Sequence, residues 1–179
     1  DDSIDCRGKK VVVVGSGASA FQLVPTIAGD VGQLTVFQRS APWMFENPIY
    51  HEEVPQGKKW CLQNLPFYTR WFRFLIFWPA CDGAYDTVFV DPEWPHQERS
   101  INEMNDFVYQ MFFDHIKGQV GDDEELLKKV TPDYAPMGKR TLQDNGSWLS
   151  ALKRDNVDLV TQGVASVSAG GVTASDGTF

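Results

Sequence analysis

The sequence predicts an α/β domain built around a parallel sheet, and three neighbouring features predict it. Lys9 and Lys10 lead into Val11-Val12-Val13-Val14, an all-β-branched run that suits a strand buried on both faces of such a sheet. Gly15-Ser16-Gly17 ends that strand, and Ala20, Val24, Ile27 and Ala28 then fall on one face at helical spacing. A second apolar strand over 34–37 follows. Strand, glycine turn, helix and strand within about 28 residues make a βαβ unit, whose crossover should be right-handed. Pro25 lies inside the helical pattern, removes one backbone hydrogen bond and should bend the helix. Gly29-Asp30 closes it.

From residue 41 to about 131 the chain changes character. Trp43, Trp60, Trp71, Trp78 and Trp94 fall here, with prolines at 42, 48, 55, 66, 79, 92 and 95. Residues 67–78 and 101–117 read as helices. The stretch 42–130 is therefore expected to be a mainly helical, aromatic-rich insertion between two halves of a sheet domain spanning 1–179. Most of its aromatics should serve packing. Phe72-Arg73-Phe74-Leu75-Ile76-Phe77-Trp78 is bulky enough to suggest docking on further protein or self-association, with a membrane surface ranked below both. The sheet pattern returns with a turn at Asp144-Asn145-Gly146, a short helix over 148–152 and a third buried strand over 157–160. Strands over 165–168 and 171–174, joined through Ala169-Gly170, form a C-terminal β-hairpin.

Composition bounds the function. The 179 residues suffice for one domain with a proper core. The net charge of −8, from 24 acidic and 16 basic residues, weighs against a nucleic-acid surface but leaves room for a local basic pocket. Cys6, Cys61 and Cys81, with His51, His96 and His115, show no metal-site spacing. A cytoplasmic, reducing setting fits them best. No run reaches the roughly 18 apolar residues of a membrane span. Asp1-Asp2-Ser3 carries no initiator Met or leader, and Gly177-Thr178-Phe179 stops just past the hairpin; both ends read as cuts through a longer polypeptide.

The glycine turn carries the chemistry. Gly15-x-Gly17-x-x-Ala20 stands between a buried strand and a helix, the setting of a Rossmann-like dinucleotide-binding domain. Gly15 permits the tight turn, Gly17 leaves room for a pyrophosphate, and Ala20 allows close helix-to-strand packing. Ser16, Ala18 and Ser19 complete the loop and the first helical turn, where backbone N–H groups attract an anion. At the end of the second strand an NADH site needs an acidic residue; this chain has Gln38-Arg39-Ser40 instead. Gln38 carries no charge to repel a 2′-phosphate, and Arg39 can pair with one through two hydrogen bonds. NADPH is the expected cofactor. Lys139 and Arg140, after Pro136-Met137-Gly138, form a second basic pair that invites an anion.

Residues 8–20, Gln22-Leu23-Val24-Pro25, 34–43 and 130–140 together resemble the NADPH domain of Baeyer–Villiger flavin monooxygenases. The stretches 144–152 and 154–160 bring the chain nearest to the branch that includes 4-hydroxyacetophenone monooxygenase. The resemblance implies that FAD is bound mainly by segments on either side of this one, in an FAD-binding domain of the same parent chain. It implies that NADPH reduces the flavin, that molecular oxygen is the co-substrate, and that oxygen is inserted beside a ketone carbonyl. Lys139 would then attend to the 2′-phosphate, and Arg140 would reach the flavin as the catalytic cation. The flavin owns the organic chemistry, so this chain alone is not expected to turn over. Two other readings stay open: the same domain from an N- or S-oxidising flavin monooxygenase, and a non-catalytic nucleotide-binding module that docks a protein partner.

Overall fold

The computed structural model describes residues 4–50 and 52–177. The readings placed on the chain ends and on His51 fall outside them in whole or in part. The fold is mixed α/β, with a parallel Rossmann-like sheet, helical insertions and a C-terminal antiparallel hairpin. Strands β1 (Lys10–Val14), β2 (Gln33–Phe37) and β5 (Val157–Val160) form the parallel sheet in the order β1-β2-β5. Val11 is in register with Leu34, and Leu34 with Val157. Helix α1 (Ala18–Ile27) supplies the crossover and runs on through Pro25. Its return to β2 needs a glycine: Gly32 donates to the Lys9 carbonyl at 2.9 Å, and a Cβ there would lie 2.6 Å from the Gly8 carbonyl oxygen.

One expectation for β1 fails. The valine run is not buried on both faces, because Val12 and Val14 are exposed. Among the described residues β1 pairs only with β2, so it is an edge strand, and only one face of the sheet is packed by α1 and α6 (Ser147–Leu152). β-branching therefore served strand propensity on this face rather than burial. The face with α1 and α6 holds the core. Phe21 stacks on Trp148 at 4.9 Å, with Val24, Leu34, Val36 and Leu149 buried around them.

The helical segment between β2 and β5 contains α2 (Gln56–Asn64), α3 (Tyr68–Ala80), a 3₁₀ helix (Asp82–Val88), α4 (Glu103–Val120) and α5 (Glu124–Val130). Capping explains where the later helices begin. The Asn102 side chain accepts from the Asn105 N–H, and that of Asp123 from the Leu126 N–H. Helix α2, the 3₁₀ helix and α5 were absent from the sequence reading, as were two further features. Trp43 and Met44, inside the 42–130 stretch, are fully buried core residues. Strand β3 (Met44–Glu46) also pairs in parallel with β4 (Leu142–Asp144), clamping the two ends of the helical segment together. Asp144 thus closes a strand, buried, instead of opening a turn. Strands β6 (Val164–Ser168) and β7 (Gly171–Ala174) form the hairpin. No helix among the described residues is long and apolar enough to cross a membrane.

Candidate functional site

The glycine turn sits where β1 hands over to α1. Gly15 has φ +102°, a conformation that strains any residue with a side chain, and its N–H donates to the Phe37 carbonyl at 2.8 Å. That bond ties the turn to the end of β2. Gly17 is the N-cap of α1, with extended backbone and no side-chain cap. A Cβ at either glycine would meet no protein atom, so the space above the turn is open. Ala18, Ser19 and Ala20 form the first helical turn, which holds no acidic residue. Its N–H groups are thereby left to attract a negative ligand. The Ser16 hydroxyl donates to the Ser40 carbonyl at 3.1 Å, joining the glycine turn to the β2 exit.

At that exit consecutive residues turn in opposite directions. Gln38 is buried, and its Nε2 donates to the Lys129 carbonyl at 2.9 Å. Its side chain is turned inward as a tie between β2 and α5, not outward toward a ribose. Arg39 is exposed and, with Ser40, lines a cleft of about 420 Å³ whose other wall is the end of α5. That wall brings Lys128 and Lys129, neither of which stood out in the sequence. Lys129 is paired with Glu125 at 2.6 Å across one helical turn, while Lys128 makes no ion pair among the described residues. The signal for Lys128 was a Lys-Lys pair in the last turn of a short helix, which reads as ordinary dipole complementation.

The 136–140 loop is held from two sides. Buried Asn105 donates through Nδ2 to the Thr87 carbonyl at 3.0 Å and to the Pro136 carbonyl at 2.9 Å. Met137 then adopts φ 65°, an uncommon left-handed conformation for a residue with a side chain. Lys139 lies over the Tyr134 ring, 4.1 Å from its centroid. Burial raises the Tyr134 pKa above the usual phenol value. The phenol therefore keeps its proton and donates to the Ala41 carbonyl at 2.9 Å, while the Tyr134 carbonyl accepts from Trp43 Nε1 at 2.8 Å. Through that ring Lys139 stands beside the segment that follows Ser40. Arg140 is exposed and lines a different depression, with Ala18, Phe21, Gln22 and Tyr50. The two adjacent cations are thus divided: Lys139 belongs with the β2 exit, and Arg140 with the start of α1.

A buried polar group also escaped the sequence reading. Asp144 Oδ2 meets His115 Nε2 at 3.0 Å and accepts from Gln119 Nε2 at 2.8 Å, joining α4 to β4. His115 and Gln119 are one helical turn apart, a spacing legible in the sequence; their carboxylate partner was not.

No protein-family model matches the chain. It is 38% identical over 176 residues to an uncharacterized monooxygenase of Sinorhizobium fredii, covering 98% of this chain and 26% of that protein. It is 32% identical over 178 residues to a Baeyer–Villiger monooxygenase of Streptomyces coelicolor, covering 99% of this chain and 31% of that one. Against a Baeyer–Villiger monooxygenase of Pseudomonas aeruginosa the identity is 29% over 177 residues, with 99% and 31% covered. Among solved structures, cyclohexanone-bound cyclohexanone monooxygenase in the rotated conformation matches with a TM-score of 0.70 at 21% identity, over all of this chain and 39% of that one. OTEMO in complex with FAD and NADP matches with a TM-score of 0.71 at 22% identity, over 99% of this chain and 37% of that one. These two structures speak for the fold. The chain spans between 26% and 31% of the length of the three relatives above, and over nearly all of its own length it is homologous to Baeyer–Villiger type monooxygenases.

Proposed function

We propose that this chain is the NADPH-binding domain of an FAD-dependent monooxygenase that inserts oxygen into ketones. The observation that carries the cofactor reading is the exposed Arg39, held two residues beyond a strand whose end is tied to the glycine turn. A guanidinium there pairs with the 2′-phosphate that distinguishes NADPH from NADH. The residues fit the cofactor: the turn is open where a Cβ would stand, and α1 has no side-chain cap. In this reading the backbone N–H groups of residues 17–20 hold the pyrophosphate. Arg39 and Ser40, with Lys128 across the cleft and Lys139 over Tyr134, hold the 2′-phosphate end. NADPH supplies the hydride that reduces the flavin. Arg140, beside the start of α1, is the cation that would reach the FAD-binding domain of the parent chain, where a guanidinium held out of water would stabilise developing negative charge.

Calorimetric titration with NADP and NAD tests the cofactor reading. Tighter binding of NADP is expected; equal affinities, or tighter NAD, would overturn it. In the intact gene product, Arg140→Ala should retain NADPH binding and lose oxygenated product when assayed on a ketone panel. Normal ketone oxidation by that variant would remove Arg140 from the reaction.

A further inference from the structure

Helices α2 and α3 contain no buried residue. They are joined to each other by Lys58, whose ammonium sits 4.2 Å from the Phe72 ring centroid, and by the Thr69 hydroxyl, which donates to the Leu62 carbonyl. With Phe72 turned inward, α3 presents its opposite side outward. Phe67, which caps the helix, and Trp71, Phe74 and Trp78 fall at successive spacings of four, three and four, which stacks them on one stripe of an α-helix. Trp71 and Phe74 lie 5.3 Å apart by ring centroids, and Phe74 and Trp78 5.5 Å. All four stand in solvent, at 77%, 58%, 45% and 51% exposure respectively.

The charge around this stripe is as uneven as the apolarity. Residues 56–81 carry Lys58, Lys59, Arg70 and Arg73, and none of the chain's 24 Asp and Glu. The nearest carboxylates in sequence, Glu52, Glu53 and Asp82, lie outside the two helices, and among the described residues only Glu53 pairs with one of their cations, 4.0 Å from Lys59. Arg70 and Arg73 lie to one side of the stripe at helical spacing, Arg73 over the Phe77 ring at 5.9 Å. In a chain of net charge −8, this local excess of cations beside exposed Trp and Phe is complementary to an anionic lipid surface. Indole and phenyl rings settle at headgroup depth, and guanidinium groups pair with lipid phosphates.

We propose that the α2–α3 hairpin is a peripheral membrane-docking element that lays the Phe67–Trp71–Phe74–Trp78 stripe into the headgroup region of an anionic bilayer. The hairpin lies on the surface and does not span. From the sequence alone a membrane ranked below a docked protein as the cover for these aromatics. The structure adds a stripe of stacked rings with cations to one side and no carboxylate in the two helices, on a helix whose Leu75, Ile76 and Phe77 are exposed as well.

Vesicle co-sedimentation of the intact gene product tests this. Mixed phosphatidylcholine–phosphatidylglycerol vesicles should carry the protein down, pure phosphatidylcholine should not, and added salt should weaken the binding. Tryptophan emission should shift to the blue on binding and be quenched by bromine-labelled acyl chains. The double variant Arg70→Glu/Arg73→Glu should weaken binding by about tenfold or more. Trp71→Ser/Phe74→Ser should weaken vesicle binding and reduce bromine quenching, leaving at most the signal from Trp78. All four positions lie outside the core, so an unchanged denaturation profile verifies folding of both variants. Failure to sediment with either vesicle would overturn the proposal, as would equal sedimentation with both. A dimer that hides the tryptophans from an aqueous quencher, without vesicle binding, would overturn it in favour of a second copy. Quencher protection in a monomer that ignores vesicles would overturn it in favour of another part of the same protein.

Discussion

Two aromatic pairs in this molecule make similar ring contacts in very different surroundings. Phe21 and Trp148 stack at 4.9 Å beneath the parallel sheet, with solvent excluded from both. Trp71 and Phe74 stack at 5.3 Å on the outside of α3, where nothing among the described residues covers them. The contact between rings is similar; what differs is the other face of each ring. The first pair is reached by two elements 127 positions apart in the chain that close over the sheet, whereas the second arises within one helix. Ring stacking alone therefore says little about stability. Burial of the remaining surface decides it.

The largest expected effect breaks this comparison if it fails. Trp148→Ala should destabilise the fold by about 3–5 kcal/mol, the range for deleting a buried aromatic ring. Trp71→Ala should change stability by no more than about 0.5 kcal/mol, as exposed substitutions do. Urea denaturation followed by circular dichroism measures both, and comparable losses would mean that the α3 stripe is covered in solution. Next in size is Arg39→Ala, which should weaken NADP binding by about 1.5–3 kcal/mol, the worth of a charged hydrogen bond, and leave NAD almost untouched. Lys128→Ala should cost about 0.2–1 kcal/mol of NADP affinity, since its ammonium is exposed and screened. Calorimetry in low salt resolves these, and an effect of Lys128→Ala equal for NADP and NAD would take that lysine away from the 2′-phosphate.

The smallest effect is a pH dependence inside the helical segment. Arg99 is bonded to Asp106 at 2.7 and 3.0 Å, and the guanidinium lowers the Asp106 pKa below the usual carboxylate value. A carboxylate whose folded pKa is lowered binds protons less readily than in the unfolded chain. Its contribution is therefore present above the unfolded value of about 4 and is lost as pH falls through the lowered one. Asp106→Asn should flatten the acid limb of the stability–pH curve in that window and leave the trend above pH 5 or so unchanged. Denaturation at a series of acid pH values measures it. An acid limb of unchanged steepness would assign the acid sensitivity elsewhere.

How far the sequence could be read depended on the distance between interacting residues. The β1–α1–β2 unit was legible because its signals are local: four valines, a glycine turn and an apolar stripe in a row. The hairpin and the third sheet strand were legible for the same reason. The β3–β4 pair was not, because its three-residue strands carry Glu46, Gln143 and Asp144 and meet across almost the whole helical segment. At the candidate site Gly15, Gly17 and Arg39 announced themselves by position relative to a strand. Lys128 did not, because only the tertiary packing of α5 against the β2 exit brings it to the cleft. Val12 and Val14 misled, since β-branching reports strand propensity as readily as burial.

The inward turn of Gln38 has a consequence for anyone redesigning the cofactor preference of this scaffold. The usual recipe for converting an NADPH site to NADH places a carboxylate at the end of the second strand to grip the ribose diol. Here that substitution, Gln38→Glu, would aim its new charge at the Lys129 carbonyl, from a side chain that is almost wholly buried at the edge of the cleft. A buried anion facing a carbonyl oxygen loosens α5 from the sheet and gains no ribose contact. The retuning has to begin one position later, where Arg39 already looks outward. Gln38 is better kept as the hinge pin on which that change would turn.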